Sequence, residues 1–116
     1  MQPARTRLST EARQAEIVDT VLDLSASASP GDITTVDIAR SLGLTQGALF
    51  MHFPSKDAIW LAVLGWVESH LLSALDAAAT AAPTPLDGLR AVFMKHARFV
   101  AKHPGVPRLI LNELQK

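Results

Sequence analysis

The chain has 116 residues, 48% of them apolar and 19% charged. That length holds one small domain or a domain and a half, and that composition builds a core rather than a disordered tail. It contains no cysteine, which excludes disulfides, thiolate zinc sites and cysteine nucleophiles. Eleven basic side chains balance eleven acidic ones, and residues 1–56 hold five basic against six acidic. Bulk charge therefore argues mildly against a nucleic-acid partner, and any such role must rest on local placement. The longest apolar run, Ala58 to Val67, is half of the roughly 20 residues a spanning helix needs. The opening MQPARTRLSTEARQAE has no apolar stretch to act as a signal peptide. The expectation is a soluble cytoplasmic protein with no membrane partner.

Glycine and proline divide the chain into helical blocks. Ala15, Ile17, Val18, Val21, Leu22 and Leu24 form one apolar stripe opposite Arg13, Glu16, Asp19 and Asp23, predicting a helix over about 10–27 capped by Ser9 or Thr10. Ser29-Pro30-Gly31-Asp32 is a stop and a turn. Thr34 or Thr35 caps a short helix over 34–42, whose Val36, Ile38, Ala39 and Leu42 are expected to point inward, and Gly43 ends it. Thr45 starts a second short helix over 45–51, and Pro54 breaks the chain. Ser55 caps a long helix over about 55–82, with Asp57 near its positive end. Its Ile59, Trp60, Val63, Trp66, Val67, Leu71, Leu72 and Leu75 are more than one face can hide, so two neighbours are expected. Leu86, Leu89, Val92, Phe93, His96, Phe99, Val100 and His103 mark an amphipathic helix over 86–103. Pro107, suited to a first helical position, opens a last segment over 107–116. No segment alternates long enough for a strand. The expected class is all-α with about six helices and no internal repeat.

The informative stretch is ITTVDIARSLGLTQGALFMHFPSKDAIW, residues 33–60. Two short helices joined by a glycine turn, behind a longer helix, describe a helix-turn-helix. Ile38, Ala39, Leu42 and Leu44 hold the first short helix against Leu49 and Phe53 of the second, and Ala39 is small because the helices cross closely. Thr45, Gln46, Gly47 and Phe50 then occupy the outer face, small and polar enough to enter a major groove about 12 Å wide.

This stretch resembles the DNA-binding domain of the TetR family of transcriptional repressors. The resemblance rests on Thr34-Thr35, Ile38-Ala39, Leu42-Gly43-Leu44, Thr45, Gly47, Leu49-Phe50, His52-Phe53, Ser55-Lys56 and Ile59. It implies a homodimer on double-stranded DNA with a palindromic operator, and a larger helical domain that binds a small effector. On that resemblance Thr35 touches a phosphate, Gln46 and Gly47 approach the bases, His52 reaches the backbone, and Lys56 with the amides of its helix N-terminus binds a phosphate, with Thr45 also counted among the DNA-binding residues. Phe50 stands where the family usually has tyrosine, keeping the ring and lacking the hydroxyl. Read without the resemblance, Phe50 serves as well in packing, His52 as a half-buried structural histidine, and Lys56 and Gln46 as solvated surface groups. Arg5 and Arg7 are either a free tail or a minor-groove arm.

Elsewhere, Trp66, His70, Phe93 and His96 are candidates for an effector pocket between the long helices, or for plain core and edge residues. His96 and His103 lie seven apart, about 10 Å along a helix axis, too far to share a metal ion easily. No HExxH, GxSxG or P-loop spacing is present, so no enzyme, metal or cofactor is expected. The expected organisation is a helix-turn-helix DNA-binding domain over 1–54, then a partial helical effector and dimerisation domain over 55–116. The expected function is a ligand-responsive repressor. The alternative is a helical dimerisation or protein-interaction module with little DNA affinity. Because members of the family run to about 200 residues, the chain is further expected to be a truncated regulator whose apolar faces pair with another copy.

Overall fold

The computed structural model describes residues 9–115. Among them are seven α-helices and no strand: α1 (Thr10–Ser25), α2 (Thr35–Leu42), α3 (Gln46–Phe50), α4 (Lys56–Val67), α5 (Ser73–Ala81), α6 (Pro85–Lys102) and α7 (Val106–Leu114). Most of them start on a hydroxyl cap. Ser9, Thr34, Thr45, Ser55 and Thr84 each accept a hydrogen bond from the backbone N–H three residues on, which satisfies a donor the helix itself cannot. Gly43 ends α2 at φ 68°, ψ 27°, a left-handed conformation that glycine adopts without a Cβ penalty. Leu44 then donates back to the Ala39 carbonyl at 2.8 Å, turning the chain sharply into α3. Arg5 and Arg7 lie outside the described residues.

The core forms where α1, α2, α3 and α4 meet. Ile17, Val21, Ile38, Leu49 and Ile59 are completely buried in it. Ala39 is buried at the crossing of α2 and α3, where a larger side chain would push the helices apart. Val36 is not part of this core. It is 42% exposed, because Ile38 and Ala39 already define the inward face of the eight-residue helix and Val36 falls outside that arc.

A π-helical turn, Glu68–Leu72, joins α4 to α5, so Lys56–Ala81 is one continuous helix of 26 residues. By length and mean hydropathy that helix is long and apolar enough to cross a membrane, although its uninterrupted apolar run is much shorter. Glu68, Ser69 and His70 interrupt the run without ending the helix. Its first half is occupied otherwise, since Ile59, Trp60, Val63 and Val67 are buried against the rest of the protein.

The start of α7 ties the C-terminal helices to the end of α1. Val106 and Leu109 of α7 enter the core, and Gly105 lies so close to the end of α1 that a Cβ there would overlap the Ser25 carbonyl. Buried Ser25 donates to Leu22 O at 2.8 Å, and Arg108 donates to Ser25 O at 3.3 Å. Pro107 is the second residue of α7 rather than its first. By contrast α6 buries only Gly88, fitted against Ala79 of α5 and Ala82 at its end. Its amphipathic pattern suggests a covered face, yet Leu86, Leu89 and Phe93 are exposed.

Candidate nucleic-acid interface

The α2–α3 pair presents its candidate residues along one exposed edge. Thr35 opens α2 and is half-buried, while Thr45, Gln46, Gly47 and Phe50 are exposed on α3. The Thr45 hydroxyl oxygen accepts from the Ala48 N–H at 3.0 Å, so its cap role is filled and its proton remains to donate. A Cβ on Gly47 would meet only the Thr45 hydroxyl, at an ordinary 3.8 Å, so packing within the chain does not require glycine there. Phe50 is 40% exposed, and beside it Met51 is 84% exposed, an apolar tip that sequence reasoning passed over although it sits inside the motif.

Gln46 is not a free amide. Its Nε2 donates to the Thr35 hydroxyl oxygen at 2.8 Å, bridging the first residues of the two helices. Thr35 is itself fixed, because it follows a reciprocal cap in which Asp37 N donates to Thr34 Oγ1 and Thr34 N donates to Asp37 Oδ2, both at 3.0 Å. The Thr34 backbone N–H, with its hydroxyl, holds the Asp37 carboxyl below its ordinary value. Arg40 stands 3.6 Å from the other Asp37 oxygen.

His52 and Lys56 lie at the two sides of the break before α4. The His52 Nδ1 is buried without a hydrogen-bond partner among the described residues, which leaves Nε2 for any outward contact. Its carbonyl accepts from Gln14 Nε2 at 3.1 Å, tying the end of α3 to α1. A hollow of about 560 Å³ separates these elements, lined by Ser9, Thr10, Arg13, Leu44, Ala48, Met51 and His52. Lys56 is the first residue of α4, and its ammonium lies 5.3 Å from the Trp60 ring centroid. The indole face holds the charge near the helix start.

The four candidates for an effector site do not converge on one cavity. Trp66 and His70 stack at 4.1 Å and form a ring cluster with Phe99, 6.0 Å from Trp66, and His103, 5.1 Å from it. His70 Nδ1 lies 2.8 Å from the Trp66 carbonyl, within the turn that widens to π geometry. Burial of the His103 ring, with Lys102 beside it, holds its pKa below the ordinary value despite Asp19 and Asp23 on α1. Phe93 and His96 lie outside the cluster, against a shallow surface with Ala97 and Val100. Phe99 and His103 were missed as partners of Trp66 and His70, although each pair has the i, i+4 spacing that stacks side chains on one helix face. No group of three or more histidine, aspartate or glutamate residues fit to hold a metal occurs among the described residues.

Residues 17–63 match the family model for bacterial regulatory proteins of the tetR family. Over a longer stretch the chain is similar to curated proteins named nucleoid occlusion factor SlmA. The protein from Actinobacillus pleuropneumoniae serotype 5b (strain L20) is 27% identical over 103 residues, 88% of this chain and 51% of the relative. That from Idiomarina loihiensis is 29% identical over 102 residues, 87% and 52% of the two chains, and that from Vibrio cholerae serotype O1 is 26% identical over 99 residues, 84% and 50%. The chain thus spans about half the length of the curated relatives it matches.

Proposed function

We propose, because the chain carries the N-terminal helix-turn-helix domain of the tetR family of bacterial regulatory proteins, that it binds double-stranded DNA sequence-specifically and regulates transcription. The observation that carries this reading is the exposed edge of α3, where Gln46, Gly47 and Phe50 stand clear of the core on a helix fixed by Thr45 and Gly43. Base contacts come from Gln46 and Gly47, with Thr45 and Phe50 beside them, and phosphate contacts from Thr35, His52 and Lys56. Residues 1–54 form the DNA-binding domain, and residues 55–116 belong to a helical ligand-binding and dimerisation domain. The protein works as a homodimer on a palindromic operator, with half-sites about 34 Å apart. It is a ligand-responsive repressor and acts in the cytoplasm, where its DNA is. A hollow of about 260 Å³ beside Leu71, His96, Phe99, Val100 and Ile110, almost wholly apolar, supports a small apolar effector. The name of the relatives, nucleoid occlusion factor, accords with DNA as the partner.

The uncovered ridge of Leu86, Leu89 and Phe93 favours a second reading, a helical dimerisation or protein-interaction module with little DNA affinity. Titration of a labelled mixed-sequence duplex at low salt separates the two, since even non-specific binding is strong there. Under the first reading the chain binds, and Lys56→Ala weakens binding evenly on every sequence and lowers the magnitude of the logarithmic salt slope by about 1 per protomer. Absence of binding at low salt selects the second reading. An unchanged slope removes Lys56 from the phosphate contacts.

A further inference from the structure

The hydrogen bond between Gln46 and Thr35 has a consequence for which base the protein selects. A glutamine amide offers a major groove either an acceptor with a donor, which suits adenine, or two donors, which suit guanine. A free side chain samples both presentations and loses that freedom on binding. Here Nε2 donates to Thr35 Oγ1 at 2.8 Å across eleven residues of sequence. One amide N–H is therefore committed, and Oε1 stays available together with the second N–H. The Thr35 hydroxyl, having accepted from the amide, keeps its own proton to donate to a phosphate oxygen. The opposite arrangement, with Thr35 donating to Oε1, would engage one Oε1 lone pair, turn both amide N–H groups toward the groove and take the proton away from the phosphate.

The supports of this bond are rigid on both sides. Thr35 follows the Thr34–Asp37 reciprocal cap, and Gln46 follows the Thr45 cap, so both Cα positions are set before DNA arrives. Nothing else holds the pair in place through burial, since Gln46 is exposed and Thr35 only partly covered. Exposed hydrogen bonds add little to folding, so a bond that spans two helices at their outer edge acts chiefly on orientation.

We propose that Thr35 is a positioning residue for Gln46: its hydroxyl fixes the amide so that α3 selects adenine over guanine at one base pair of each half-site. This rests on the proposed DNA-binding function and deepens it. Thr35 thereby joins two kinds of contact, a sequence-blind one to phosphate and a sequence-selective one through its neighbour.

The test is selection of bound duplexes from a randomised pool, followed by titration of single-base variants with the full 116-residue chain. The base pair read by Gln46 is the one whose preference disappears in Gln46→Ala. At that position wild type prefers adenine by about tenfold, within the range a paired hydrogen-bond contact supplies. Thr35→Val keeps the side-chain shape, removes the hydroxyl and brings the preference to within about twofold. Thr35→Ser restores it, and the double variant Thr35→Val with Gln46→Ala discriminates no worse than Gln46→Ala alone. Melting curves of the valine variant check that α2 is still folded, and Thr35→Ala, which also lacks the hydroxyl, carries the same test if it is not. A valine variant that weakens binding evenly but discriminates like wild type overturns the proposal, as does a preference for guanine at the Gln46 position. A wild-type chain that binds no DNA, or binds without sequence preference, overturns the underlying reading as well, so the two failures are distinguishable.

Discussion

The body made by α1 to α4 and the pair α5–α6 are built from similar helices and differ in what covers them. In the first, α1 and α4 between them bury Ile17, Val18, Val21, Leu22, Ile59, Trp60, Val63 and Val67. In the second, α5 buries no residue and α6 buries only Gly88. Both regions have good caps, Ser9 and Ser55 in one and Thr84 in the other, so local helix formation does not separate them. What separates them is tertiary burial, the main source of helix stability in proteins. The pair α5–α6 approaches closely through Ala79, Ala82 and Gly88, small residues that give contact but little apolar area. The dimensions of 54 × 42 × 21 Å follow from this, a slab with a core at one end and a two-helix arm at the other.

The most direct way to break the comparison is to truncate one leucine in each region. Leu49 is completely buried, and Leu89 is 68% exposed. Leu49→Ala is expected to cost about 2–5 kcal/mol, the range for a deleted core leucine, and Leu89→Ala to stay within about 0.5 kcal/mol. Urea unfolding of the two variants checks this. A Leu89 variant as damaged as the Leu49 variant would falsify the picture of an uncovered arm.

Gly105→Ala comes next, because it acts on the joint between the regions. Its Cβ meets backbone, the Ser25 carbonyl, and backbone cannot rotate away as the tip of a side chain can. The expected loss is about 1–3 kcal/mol from overpacking. Hydrogen exchange is expected to report it as lost protection in α7, where Val106 and Leu109 leave the core, with the Ile38 and Leu49 region still protected. Uniform loss of protection would show that the chain unfolds as one unit and that the joint is no boundary.

How far the sequence carries the fold can be followed residue by residue. The all-α class, the hydroxyl caps and the left-handed Gly43 are local matters, decided by a side chain and the backbone within four residues of it. They are legible for that reason. The inward places of Ile38, Ala39, Leu49 and Phe53 follow from the helix-turn-helix register, as does the exposure of Gln46 and Gly47. The exposure of Val36, Leu86, Leu89 and Phe93 is not legible, because an apolar stripe announces a sticky face without saying whether anything lies against it. Gly105 reads only as a break after Pro104. The closeness that demands glycine comes from Ser25, eighty residues earlier in the chain. The bond from Gln46 to Thr35 depends likewise on how two helices cross, although each residue was singled out on its own. Trp66, His70, Phe99 and His103 share the i, i+4 spacing in pairs, but their meeting depends on how α6 lies along α4.

The smallest effect expected is a shift in a proton equilibrium, and it sharpens the comparison where the arm returns to the body. His103 ends α6, packs on Trp66 and Phe99, and faces Asp19 and Asp23 of α1, with Lys102 next to it in sequence and His70 across the ring cluster. Desolvation of the ring, the largest influence, favours its neutral form, so its pKa in the folded chain lies below the ordinary value of 6.5. The unfolded chain therefore binds more protons than the folded one between those two values. The stabilisation from neutral His103 is complete above the unfolded pKa and is lost as pH falls through the folded pKa. An NMR titration of the His103 ring is expected to give a midpoint below 6.5. Replacing Asp19 and Asp23 by asparagine removes the two charges that favour the imidazolium, so the midpoint falls further. A midpoint at 6.5 that ignores both aspartates would mean the ring is solvated and the end of α6 stands off from α1. In that case Gly105 and α7 would carry the junction with α1, and the ring cluster would couple α6 only to α4.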